Sequence, residues 1–252
     1  MGSTRLPGKV LLPILGKPML WHIVQRLRWV RQLSEVVVAT TLQPGDHVIL
    51  NFCNQDGIAS FAGEENDVLD RFYQAAVHYQ GDPIVRITGD CPLVDPEIVG
   101  RLLELYGTGR YDHVGVATGA GALFLEGQRF PNGLDAECFS FGSLERAWRE
   151  ATHSADREHV TPYMWRNEKL FRCGHLMSDR DCSNLRWTVD NEADFRLISR
   201  IYEALYQENK PFLMADILSF LNKHPELNGM NQSSVGQEGY LEIWQVDQPS
   251  KR

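Results

Sequence analysis

The run Pro83-Ile-Val-Arg-Ile-Thr-Gly-Asp90-Cys-Pro-Leu-Val-Asp95-Pro96 holds a complete strand-to-helix transition. Its apolar, β-branched start reads as a strand buried on both faces over 83–88. Asp95-Pro96 reads as a helix cap followed by proline in the first turn, opening a helix over 95–106. Between them stands Asp90, just past the carboxyl end of the strand, where open α/β sheets gather their ligands. Capping accounts for Asp95. Asp90 caps nothing, and a carboxylate there is a hard oxygen ligand suited to Mg2+, which keeps several waters and bridges substrate phosphates.

The same alternation extends to both sides. Leu20, Ile23, Val24, Leu27 and Val30 recur at helical spacing after Pro18, which suits a first helical position. Residues 35–40 form a strand-like run, Asp46 can cap a helix to about Gln55, and 57–61 read as the next strand. Asn66 or Asp67 can cap a helix carrying Leu69, Phe72, Tyr73 and Ala76, and 112–118 form a further strand. Strands alternating with helices of this length imply parallel βαβ units covered on both faces. The second half is less regular. Strand-like pieces at 134–141, 170–177 and 185–189 interleave with helices near 142–152, 157–167, 191–206 and 214–223. We expect one domain over 1–229, with about 134–185 as a subregion, and a polar tail over 230–252.

Composition narrows the classes. The chain has 252 residues, 43% apolar and 23% charged, which excludes disorder and a disulfide-dense scaffold. Five cysteines form no CxxC pair. The net charge is 25 − 33 = −8, which argues against a chain-wide nucleic-acid binder. No apolar run approaches membrane-spanning length and no signal peptide opens the chain, so we read it as cytoplasmic. Yet Arg5, Lys9, Lys17, Arg26, Arg28 and Arg31 stand in residues 1–34 without one acid. A basic segment on an acidic chain points to a local anion site, although Arg26, Arg28 and Arg31 also fit the wet face of a helix.

Within that segment lies Gly2-Ser-Thr-Arg5-Leu-Pro-Gly8-Lys9. Glycines let backbone N–H groups approach phosphate oxygens, Ser3 and Thr4 add hydroxyls, and Arg5 and Lys9 add charge. The pattern is not a P-loop: the spacing between glycines is one residue too long, and Val10 replaces the metal-binding hydroxyl residue. Leu185-Arg-Trp-Thr-Val-Asp190 is another short strand ending in an acid, which either caps the next helix or binds metal. Two strand-end aspartates and a basic glycine loop are together the parts that hold a magnesium nucleoside triphosphate. Asp179-Arg-Asp181 mimics a glycosyltransferase DxD motif but reads as a polar loop.

These segments, with Asp67-Val-Leu-Asp-Arg-Phe72, Phe130-Pro-Asn-Gly-Leu-Asp-Ala-Glu137 and Arg157-Glu-His-Val-Thr-Pro162, occur in an order that resembles one family. It is the cytidylyltransferases that include the acylneuraminate and 3-deoxy-manno-octulosonate enzymes, and the branch resembled is the SpsF type of spore-coat polysaccharide synthesis. The resemblance covers residues 1 to about 229. It implies a Rossmann-like nucleotidyltransferase fold of glycosyltransferase-A type, with three αβα layers, a mostly parallel sheet and antiparallel additions in the second half. It also implies CMP transfer from CTP to an acidic sugar hydroxyl with release of pyrophosphate, Mg2+ as cofactor, and a homodimer. Gly2, Ser3, Arg5 and Lys9 would cradle the triphosphate, with Arg5, Lys9 and Asp90 catalytic, and Asp90 and Asp190 would hold the metal. Asp67 and Arg71 match the segment beside the nucleotide. Asp135, Glu137, Arg157, Glu158 and His159 match branch motifs near the sugar or a dimer contact, and His159 is a general base or a helical polar residue near that contact.

The chain departs from the family pattern at its start. Family members place a strand and an Ala-Arg pair before Met-Gly-Ser, so the expected first strand is missing here and the sequence reads as a truncated form whose activity is open. Two rival readings stand beside the first: a glycosyltransferase of similar fold using a sugar nucleotide, and a non-catalytic nucleotide-binding protein.

Overall fold

The computed structural model of the chain describes residues 1–3, 5–118 and 127–235. The first strands form a tight hairpin, Pro13–Ile14 (β1) with Lys17–Pro18 (β2), turned through Leu15 and Gly16, both at positive φ. Pro18 therefore closes β2 rather than opening the helix, which is Met19–Leu27 (α1). The alternation follows as expected: Val37–Thr41 (β3), His47–Gln55 (α2), Ala59–Gly63 (β4), Val68–Tyr79 (α3), Ile84–Arg86 (β5), Pro96–Gly107 (α4) and His113–Val116 (β6). Asp67 caps α3 by accepting from the Asp70 N–H, and Asp95 caps α4 by accepting from Glu97 and Ile98.

The second half contains Glu137–Phe139 (β7), Phe141–Glu150 (α5), Ser154–His159 (α6), Pro162–Arg166 (α7), Cys173–Leu176 (β8), Glu192–Leu205 (α8), Met214–Lys223 (α9) and Pro225–Asn228 (α10). The helix read over 157–167 is two helices. Pro162 starts α7, and the chain between them passes through Val160 at φ 74, ψ −54, with Thr161 N donating to His159 O at 2.9 Å. That is a γ-turn of the strained, positive-φ kind. The strand read over 185–189 is extended chain whose partners are loop residues: Trp187 N donates to Asn132 O (2.6 Å) and Val189 N to Asp90 O (2.8 Å). Irregular partners give it no regular ladder.

β3 and β4 pair in parallel. A second sheet has the order β5-β7-β6-β8, with β6 and β8 parallel and β7 antiparallel to both β5 and β6. β7 is thus an antiparallel addition of the kind expected in the second half. Successive side chains take opposite faces. Cys138, Val114 and Val116 join the main core with α1, α4 and α8, while Phe139 joins a second core with α3, α5 and α7. Helices therefore cover both faces of the sheet. No backbone pairing joins the two sheets among the described residues. α1 serves both: Met19, Ile23 and Leu27 lie in the main core, and Leu20 and Val24 pack with Ile49, Cys53 and Ile58.

The helical stripe on α8 is core, as its periodicity indicated, with Leu197, Ile198, Ile201 and Tyr202 buried. Tyr202 also donates its hydroxyl to Pro92 O at 2.6 Å, tying α8 to the segment after β5. All five cysteines are free. No helix among the described residues is long and apolar enough to cross a membrane.

Asp95 holds more than its own helix. Its Oδ1 caps α4, and its Oδ2 accepts from Met214 N at 2.6 Å, so one buried carboxylate fixes the starts of α4 and α9. Asp95→Ala removes a cap and leaves a half-buried N–H unpaired. We expect a loss of about 2–4 kcal/mol in urea unfolding, against a loss of under about 1 kcal/mol for the exposed Glu104→Ala.

Candidate active site

The site is built where three segments far apart in sequence meet at the carboxyl end of β5. Gly8, at φ 70, turns the chain into the short helical turn Lys9–Leu11. The Lys9 side chain then runs inward, and its Nζ lies 3.2 Å from Asp90 Oδ2, 3.0 Å from Asp190 Oδ1 and 2.7 Å from Val189 O. Burial alone would lower the Lys9 pKa, but the two aspartates outweigh it and hold the ammonium above its usual value. Arg5, half-exposed, reaches the same Asp190 Oδ1 at 3.3 Å.

Asp90 is fixed by its neighbours. Thr88 donates its hydroxyl to Asp90 Oδ1 at 2.6 Å, and the Asp90 carbonyl accepts from Val189 N and from the Thr188 hydroxyl. Asp190 receives a charged hydrogen bond on its other oxygen from Arg186 Nη2 at 2.6 Å. Burial pushes its carboxyl up, but Lys9 and Arg186 together hold it below the ordinary aspartate value, so it stays ionised at neutral pH.

The two carboxylates suit a metal. One oxygen of each already converges on a single cationic atom, the Lys9 ammonium, so the pair can share a cation. The donors are hard oxygens, as Mg2+ requires, and two carboxylates leave the remaining positions to water and phosphate. Among the described residues no group of three His, Cys, Asp or Glu forms an all-protein cage.

A second group lies beside the first, on the sheet face covered by α3, α5 and α6. Asp135 accepts from the Thr118 hydroxyl (2.5 Å) and Gly133 N (2.8 Å). Burial pushes its carboxyl up, the Asp90 and Glu137 charges add to that, and the two hydrogen bonds oppose it, leaving it at about 6. Gly133, at φ 101, lies so close to the Trp187–Thr188 backbone that a Cβ would sit 2.4 Å from it. This close approach locks the Asp135 loop against the extended segment that ends in Asp190. Glu137 accepts from Arg86 Nη1 (2.6 Å), the Thr161 hydroxyl (2.7 Å) and His113 Nε2 (3.1 Å). Burial opposes ionisation, yet Arg86, His113 and Thr161 overcome it and bring the carboxyl to about 2. His159, across the γ-turn from Thr161, is lowered by burial and sits in the field of the same charges.

The structure thus brings Arg5, Lys9, Asp90 and Asp190 to one point, with Asp135, Glu137 and His159 on the adjoining face. Other sequence candidates stand elsewhere. Asp67 is paired with Arg157 (Nη2 to Oδ2, 2.5 Å), and Arg157 also donates to Trp148 O at 2.6 Å, which binds α6 to the start of α3. Arg71 donates to Glu64 O at 2.5 Å. Gly2 and Glu158 are exposed, and Ser3 accepts from Leu6 N within its own loop. Thr4, the other hydroxyl of that loop, lies outside the described residues. Asp179 is 90% exposed and Asp181 accepts from Arg129 N and Ser183 N, so the DxD look-alike is a surface loop.

Sequence reading missed Arg186, Asp194 and Asn231. Arg186 and Asp194 form a buried pair behind Asp190, with Nε to Oδ1 at 3.1 Å and Nη2 to Oδ2 at 3.2 Å. An arginine between Leu185 and Trp187 in a strand-like run is a usable signal, because a charge there must find a partner. Asn231 carries no such signal. It lies past residue 229, yet it is buried and donates to Arg186 O and Asp194 Oδ1, each at 2.9 Å. The packed body therefore runs on through Val235, and 236–252 lie outside the described residues.

Comparison with known proteins agrees with this architecture. An uncharacterized protein of Methanocaldococcus jannaschii is 36% identical over 244 residues, covering 96% of this chain and 95% of that protein. The spore coat polysaccharide biosynthesis protein SpsF of Bacillus subtilis is 28% identical over 233 residues, covering 90% of this chain and 92% of its own length. A solved cytidylyltransferase from Leptospira borgpetersenii superposes with a TM-score of 0.81 at 30% identity, over 90% of this chain and 92% of that one. Residues 1–219 match the family model described as cytidylyltransferase, and with a match over most of its length this chain belongs to the cytidylyltransferase family, a family of nucleotidyltransferase enzymes.

Proposed function

We propose that the protein transfers CMP from CTP to a hydroxyl of an acidic sugar, releasing pyrophosphate, in the synthesis of a cell-surface or spore-coat polysaccharide. The observation that carries this reading is the convergence of Asp90 and Asp190 on the Lys9 ammonium, with Arg5 beside them. In-line attack on the α-phosphorus forms one P–O bond and breaks the bond to the β-phosphate bridging oxygen, whose electron pair leaves with pyrophosphate. Such transfer needs positioning and charge neutralisation more than a protein nucleophile. Arg5 and Lys9 bind the phosphates. Asp90 and Asp190 would hold Mg2+, which would neutralise phosphate charge. Asp135, ionised above about pH 6, accepts the proton of the attacking hydroxyl. Glu137 beside it is held by Arg86 and Thr161. The same reading has Asp67, Arg71, Arg157 and Glu158 around nucleotide, sugar or subunit contact, and a cytoplasmic homodimer that binds no nucleic acid. The acidic sugar rests on the motif set shared with the acylneuraminate and octulosonate enzymes.

Pyrophosphate release, assayed with four nucleoside triphosphates and a panel of acidic sugars, should require CTP and a divalent cation. EDTA should abolish it and Mg2+ restore it; equal turnover with UTP or without metal counts against the reading. Asp90→Ala and Lys9→Ala should each lose about 100-fold or more in kcat, whereas unchanged turnover would remove their roles. The rate should fall as the pH drops through about 6, because the Asp135 carboxyl takes up a proton there. Asp135→Asn should cost about 100-fold or more and erase that acid limb. A variant that keeps the limb shows that another group produces it.

A further inference from the structure

We propose that Asn231 is a positioning residue for Asp190, which makes the segment after α10 part of the active site. The inference rests on the reading of Asp190 as a metal-holding carboxylate. One oxygen of Asp190 faces Lys9 and Arg5, and the other is anchored by Arg186 Nη2 at 2.6 Å. Arg186 has no slack: its guanidinium is buried and forks onto Asp194, which is wholly inaccessible to solvent. Asp194 Oδ2 also accepts from the backbone N–H of Asp190 (3.0 Å) and Asn191 (3.2 Å). Arg186 and Asp194 together therefore fix both the main chain and the side chain of Asp190.

Asn231 closes this assembly from the far end of the chain. One amide nitrogen donates to Asp194 Oδ1 and to the Arg186 carbonyl, at 2.9 Å each, and the residue is only 3% exposed. Ser234 extends the strap by accepting from Asn191 Nδ2 at 3.0 Å. Without the amide, a buried carbonyl loses a donor and Asp194 loses one partner, so the Arg186–Asp194 pair is held less tightly. Partners that orient a ligating carboxylate typically change metal affinity by about 10–100-fold when removed.

The test uses the full chain and Mn2+ with CTP as the probe, with binding read by calorimetry and by the Mn2+ spin signal. Asn231→Ala, one contact further out than Arg186, should bind Mn2+ up to about 10-fold more weakly, and in turnover should raise the metal concentration for half-maximal rate more than it lowers kcat. Ile49→Ala, a change in the separate core between α1 and α2, supplies a destabilised comparison and should leave Mn2+ affinity as it was. If Asn231→Ala does not fold, Asn231→Ser, which keeps a short polar group, should show the same loss in smaller measure. Wild-type Mn2+ affinity in the folded Asn231 variants, with affinity lost in Asp190→Ala, overturns the positioning role and leaves the site reading intact. Wild-type affinity in Asp190→Ala removes the site reading and this inference with it.

Discussion

The architecture turns on one buried charge junction, the Lys9 ammonium held between Asp90 and Asp190. Two carboxylates at the ends of neighbouring extended segments repel one another, and bringing them together without a cation would favour protonating one of them. Lys9 supplies that cation from a loop far from both. The Gly8 turn, the hydroxyl of Thr88 and the Arg186–Asp194 pair all serve to keep the three charges in register. Charge is balanced within the cluster, since Arg5, Lys9 and Arg186 face Asp90, Asp190 and Asp194. A bare triphosphate therefore meets no excess of positive charge, whereas a metal-bound one brings its own neutralisation.

Much of the fold was legible because the first half obeys local rules. Asp67 and Asp95 cap the helices they were expected to cap, and Glu192–Leu205 buries the stripe that its spacing defined. Departures occurred where non-local partners decide. Residues 185–189 have the composition of a strand but bond to Asn132 and Asp90, which lie in loops whose positions no periodicity records. Pro162 was visible in the 157–167 segment as a residue that disfavours helix before it, but the sign of φ at Val160 was not.

The site divides in the same way. Arg5, Lys9, Asp90 and Asp190 belong to segments with unusual local chemistry, and the structure gathers them. Asp67 and Arg157 belong to equally distinctive segments, yet they spend their charge on each other. Motif membership identifies residues with a fixed task, and only geometry separates those that converge on one point from those that join two helices. Asn231 shows the converse, since its task depends on a polar stretch with no local signature at all.

The γ-turn at Val160 sets how the covering layer can move. A β-branched residue in that conformation holds on the order of 1–3 kcal/mol of strain, and its side chain is fully buried. Thr161 on Glu137 and Val160 in the core pin the turn from opposite sides. The α6–α7 joint is therefore clamped on both sides, and the Thr161–Glu137 bond and the burial of Val160 jointly outweigh the strain that the turn carries.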